Sequence, residues 1–203
     1  MKHYILVIQC TLLLLFASTA SSSQSPLDLV RDTSTEILVI LNEEKALIKQ
    51  NPDMLHNIIA EHVLPHFDFE RMGRWTLGKY WRKTDQLQRD RFMEEFRTLL
   101  IRSYGNVLVE YTDADIVYLP FKADENEKRA KVHTELSLSN SNAVRISYSL
   151  HMTAHGWKVY DVAVEGISLV TNYRNSFIRK VSQEGIDQLI SQLASKNSKD
   201  DTT

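Results

Sequence analysis

Four groups of side chains in this 203-residue chain stand at spacings that could do chemistry. His62 and His66 are four apart, a spacing that can put two imidazoles on one metal ion. A zincin needs Glu directly after the first His to activate water, but Val63 stands there and Pro65 ends the helix between the pair. They read as surface histidines near a helix end, and no metal is expected. Ser168 in "GISLV" resembles half of a nucleophile elbow, with Val170 in place of the second glycine. After a glycine corner and before a helical pattern, that serine reads as an N-cap. Asp161 and Glu165 are four apart on or near a strand, and paired carboxylates can do acid–base work when burial separates their pKa values. In the alternative, Asp161 binds backbone or Arg174, and Glu165 braces the corner at Gly166. Lys79, Arg82, Lys83 and Arg89 form a loose basic cluster. It is either a solvated face or a docking patch for an acidic partner or phosphate headgroups.

Composition narrows the classes. Apolar residues make up 43% and charged residues 25%, a globular balance, and the formal charge of −2 gives no basic excess for nucleic acid. The first twenty residues read as a signal peptide: Lys2, an apolar run from Tyr4 to Phe16, then Ser18-Thr19-Ala20. The run is shorter than the roughly 20 residues that span a bilayer. Cys10, the single cysteine, lies inside it, so the mature chain would have none. Thiol catalysis is then excluded, and an exported protein would rely on its core without disulfides.

The elements that must position these groups follow from periodicity. A helical pattern runs from Pro26 to Ile48, a second follows Pro52, and a short helix capped by Asp68 ends near Gly78. The longest stripe begins after Thr84 and reaches Tyr111 through Leu87, Phe92, Phe96, Leu99, Leu100, Tyr104, Val107 and Leu108. Gly105 within it would permit close packing or a bend. The rhythm then changes to two. "DIVYLPF", "KVHTELSLS", "AVRISYSLHMT" and "WKVYDVAVE" read as strands joined by short turns at "ENEK", "NSN" and "HG". About four sequential strands imply an antiparallel meander with helices on one face, an α+β fold. A last helix is expected from Ser182. A single domain would span 21–196, with a disordered tail over 197–203.

Several segments together resemble one family. "WKVYDVAVEGISLVTNYRNSF", "FDFERMGRWTLGKYW", "FMEEFRTLLIRSYGNVLVEY" and "GIDQLISQL" occur in order along nearly the whole mature chain. They resemble the MlaC family, also called toluene-tolerance auxiliary proteins. The resemblance implies an NTF2-like fold with an apolar cavity between sheet and helices. It implies a periplasmic carrier of diacyl glycerophospholipid, without catalysis, metal or cofactor. Its partners would be an outer-membrane lipoprotein complex and an inner-membrane ABC transporter complex, in the service of outer-membrane lipid asymmetry. A monomer is the default. If the long stripe meets the even strand face, the lipid lining would be Tyr104, Leu108, Tyr111, Tyr148, Leu150, Val164, Ile167, Val170 and Tyr173. The structural corner would be Asp161, Glu165, Gly166 and Arg174. The rival readings are a small enzyme on the same fold, using Asp161 or Glu165 on an apolar substrate, and an interaction module with a solid core.

Overall fold

The computed structural model describes residues 24–122, 128–138 and 142–199. The expected signal peptide lies outside them, as do most of the "ENEK" and "NSN" turns. Helix α1, Pro26–Glu43, starts where the Ser25 hydroxyl accepts the Asp28 N–H at 3.1 Å. The pattern expected as one helix breaks at Glu44, and α2 is Lys45–Gln50. The break lets Ile48 rejoin Ile37 and Leu41 in one cluster. On a straight helix it would lie about 10 Å further along the axis than Leu41. Helix α3, Asp53–His62, leads through a 3-10 turn at Leu64–His66 into α4, Phe69–Leu77. Asp68 caps α4 by accepting the Arg71 N–H at 2.8 Å. A second 3-10 turn, Gly78–Lys83, precedes α5, Gln86–Glu110. Asp85 and Gln88 form a reciprocal capping box at its start.

The sheet is an antiparallel meander in the order β1-β2-β3-β4-β5. Its strands are β1 Asp115–Tyr118, β2 Arg129–Ser137, β3 Val144–Thr153, β4 Gly156–Val164 and β5 Ile167–Ser168. The fifth strand, only two residues long, was beyond the four expected. The β3–β4 register slips between Ser149 and Leu150, from Asp161 to Val159, so Tyr160 is an extra residue, a β-bulge. Helix α6, Leu169–Glu184, runs through Ser182 and stops at Gly185, where φ is 87°. The start expected at Ser182 is therefore displaced to α7, Ile186–Lys199. The tail expected from 197 is corrected as well, because helix continues through 199 and Asn197 is only 6% exposed. Its amide donates to the Glu95 carbonyl at 3.0 Å and to Oε2 of Glu95 at 2.7 Å. These hydrogen bonds join α7 to α5.

Apolar burial divides into three clusters. The first joins α4, α5, α6 and α7 around Phe92, Phe96 and Phe177, with ring centroids 5.6–5.7 Å apart. The second joins α1, α2, α3 and α5. There a Cβ on Gly105 would lie 3.1 Å from Ile59 Cδ1 and 3.3 Å from Leu55 Cδ2, so glycine admits α3 close to α5. The third sets Leu29 and Val30 of α1 on Val132, Leu150 and Val159 of the sheet. The helices packed most closely on the sheet are α1 at β2, and α4 and α6 at β4. The expected meeting of the α5 stripe with the sheet is thus replaced by helix–helix packing: Phe92, Phe96 and Leu99 enter the first cluster and Ile101 the second. Leu87, at the start of that stripe, is 67% exposed.

Candidate functional site

The 3-10 turn between α3 and α4 is where the clusters meet. Leu64 packs against the first and second, and Phe67 against the first and third. Phe67 forms a parallel bridge to Val159, and the Asp68 N–H donates to the Val159 carbonyl at 2.8 Å. Lys158 Nζ donates to the Pro65 carbonyl at 2.5 Å, which ties the same turn to β4. A cavity of about 580 Å³ opens beside it. Its apolar wall is Leu64, Phe67, Phe69 and Met93, and its polar wall includes Asp68, Glu70, Arg97, Thr153, His155 and Lys158. The volume falls within the range of small-molecule sites. Asp68 Oδ2 lies 2.7 Å from His151 Nε2, and Arg97 stands over the Phe69 ring at 5.0 Å. Burial, and then the charge of Lys158, lower the His66 pKa from its usual 6.5 against an opposing pull from Glu36.

None of the nine residues expected to line a lipid site stands on this wall. They fall into separate places. Tyr104 and Tyr173 face each other between α5 and α6, and burial, then Tyr173, push the Tyr104 hydroxyl up to about 12. Tyr173 also packs on Phe96 and Phe177, and Val170 is buried in the same cluster. Leu108 packs against the second cluster, and Tyr111 ends α5, half-buried. Tyr148 and Leu150 are on the sheet face under α1; Leu150 is 0% exposed, closed core rather than open wall. Burial raises the Tyr148 pKa, while hydrogen bonding to Thr134 and Ser34 pulls it back. Val164 pairs with Ile146 and Ile167 at the sheet end, and Ile167 is 65% exposed, turned away from any interior. The missed wall had a signal in "VLPHFDF": apolar Leu64, Phe67 and Phe69 flank a proline that forbids a regular helix.

The corner residues act at separate joints. Asp161 accepts the Val170 N–H at 3.2 Å and Ser168 accepts the Thr171 N–H at 3.0 Å, so both serve the start of α6. Glu165 and Gly166, at φ 49° and 80°, make the two-residue turn into β5. The Glu165 carboxylate accepts the Arg145 N–H, and its own N–H donates to the Arg145 carbonyl at 2.9 Å. Arg174 is not paired with Asp161. It donates to the Trp75 carbonyl and crosses Gly78 so closely that a Cβ there would lie 2.9 Å from Nη2. His62 pairs with Glu36 at 2.8 Å. Among the described residues no group of three or more His, Cys, Asp or Glu is placed to hold a metal ion. In the basic cluster, Lys79 and Lys83 both lean on Tyr80, and Arg89 lies over Trp81.

The family model described as MlaC protein matches residues 31–195. The chain belongs to the MlaC family. It is 32% identical over 177 residues to toluene tolerance protein ttg2D of Pseudomonas putida, covering 87% of this chain and 82% of that protein. It is 25% identical over 182 residues to the intermembrane phospholipid transport system binding protein MlaC of Haemophilus influenzae, covering 88% and 85%. Among solved structures, a phospholipid-binding protein from Ralstonia solanacearum, in complex with a phospholipid, superposes with a TM-score of 0.78 at 24% identity. That likeness covers 84% of this chain and 95% of the other, so the MlaC α+β fold is shared.

Proposed function

We propose that this chain is a phospholipid-binding carrier. It takes diacyl glycerophospholipid across the periplasm between an inner-membrane ABC transporter complex and an outer-membrane lipoprotein complex. The observation that carries the reading is membership of this family, and the open groove where three clusters meet offers apolar surface to a lipid through Leu64, Phe67, Phe69 and Met93. The names of its relatives support it, one being an intermembrane phospholipid transport binding protein. Physical chemistry sets the requirement. Each buried methylene contributes about 0.8 kcal/mol, so two bare acyl chains in water would cost roughly 20 kcal/mol or more. A carrier must enclose most of that surface. Release can still be near neutral if the chains pass directly into another apolar site.

The enzyme reading has no matching observation. Asp161 and Glu165 each accept a backbone N–H, one at the start of α6 and one across the turn to β3. The protein therefore reads as a binding and transport protein. Export through a cleaved leader agrees with the apolar run at its N-terminus, and no described helix is long and apolar enough to cross a membrane. Native mass spectrometry after detergent-free purification tests the proposal. The expected spectrum carries phospholipid on the folded protein; a ligand-free chain that takes no lipid from phosphatidylglycerol vesicles overturns it. N-terminal sequencing of the exported protein should find a start near Ser21.

A further inference from the structure

The charges around the cavity are unevenly matched. Its two carboxylates are occupied: Asp68 caps α4 at 2.8 Å and holds His151 at 2.7 Å, and Glu70 pairs with Arg74 at 2.7 Å. Its two permanent cations are not. Arg97 rests on the Phe69 face and Lys158 on the Pro65 carbonyl, and among the described residues neither has a carboxylate within ion-pair distance. A cation over an aromatic face and a cation on a neutral carbonyl both keep donors for an anion. The two stand on different elements, α5 and β4, at one apolar cavity. A ligand that fits has an apolar body and one anionic group at its end.

We propose that Arg97 and Lys158 receive the phosphate of the bound phospholipid at the mouth of this cavity, with acyl chain running inward along Leu64, Phe67 and Met93. The inference rests on the carrier reading above. An arginine fork and a lysine point charge can take different non-bridging oxygens of one phosphate. The site then reads the phosphate common to all glycerophospholipids and leaves the esterified alcohol in solvent. Selection would run against uncharged diacylglycerol, not among headgroups.

Calorimetric titration of the lipid-free mature protein tests this, with dihexanoyl phosphatidylglycerol, dihexanoylglycerol and inorganic phosphate as separate probes. The unchanged protein should prefer the phosphate-bearing lipid to the neutral one by roughly tenfold or more, and should bind inorganic phosphate far more weakly than either lipid. Arg97→Gln with Lys158→Gln should bring the lipid ratio close to one, while Arg97→Lys with Lys158→Arg should retain the preference. Because Lys158 also fastens the Pro65 turn, Arg97→Gln alone is the second arm, and it should lower the ratio by roughly threefold or more. A glutamine variant that folds and keeps the full ratio overturns the proposal and leaves the carrier reading standing. Inorganic phosphate binding as tightly as the lipid would make this a free-anion site and overturn it as well. An unchanged protein that binds neither lipid removes the carrier reading itself.

Discussion

At the scale of single residues, the charges that first suggested catalysis act on backbone. Asp161 sits beside an apolar run because the start of α6 presents N–H groups there. Asp161→Ala should cost roughly 1–2 kcal/mol through that lost acceptor, read as a lower melting temperature with lipid stoichiometry per folded molecule unchanged. Gly78 carries two constraints, a φ of 54° and the Arg174 guanidinium against its α-carbon. Gly78→Ala should therefore destabilise by about 1–3 kcal/mol in thermal unfolding, and Arg174→Ala in the same chain should return part of the loss. His66 gives a pH dependence. Its folded pKa lies below 6.5, so below that pH the unfolded chain binds more protons than the folded one. Stability from this group is full above about pH 6.5 and falls on acidification through that value. Melting curves at pH 7.5 and pH 5.5 should show a smaller difference for His66→Asn than for the unchanged protein.

At the scale of elements, the capping residues and the strand rhythm were legible because they are local. Asp68, Ser168 and the even positions of β3 need only their near neighbours to be read. What was not legible depends on contacts far apart in sequence. The break at Glu44 follows from α3 lying under both halves of the hydrophobic stripe, and α6 runs on through Ser182 with Phe177 and Val181 in one cluster with Phe92 and Phe96 of α5 and Leu189 of α7. The meeting of α5 with the sheet, expected from its stripe, was not legible for the same reason. A stripe about six turns long has room to serve several neighbours, and its residues were divided between helical clusters. Gly105 is the clearest sign of that division. A mid-helix glycine costs about 1 kcal/mol relative to alanine, which is offset here by the approach of α3. Gly105→Val should drive Ile59 and Leu55 outward and cost roughly 1–3 kcal/mol. Ile59→Ala in the same chain should recover part of it in denaturant unfolding.

At the scale of the whole molecule, a divided core and an open cavity belong together: three clusters that do not merge leave space where their edges meet. Two tryptophan substitutions separate closed core from open wall. Met93→Trp places its added bulk at the cavity and should lower bound phospholipid per folded molecule with little change in melting temperature. Leu150→Trp enters a site with no free surface and should cost roughly 1–3 kcal/mol or more. Lipid content measured beside an unfolding curve distinguishes them, and the reverse pattern would place the lipid under α1. The rims of the sheet bear on a different hazard. On one side β1 is only four residues long and Pro120 follows it closely. On the other, β5 covers the end of β4, and the Phe67 bridge occupies the ladder at Val159. An open sheet edge in any protein risks polymerising strand upon strand. Among the described residues, β1 at one rim and β5 with the Phe67 bridge at the other shorten the rows of N–H and C=O groups on which such a fibre could grow.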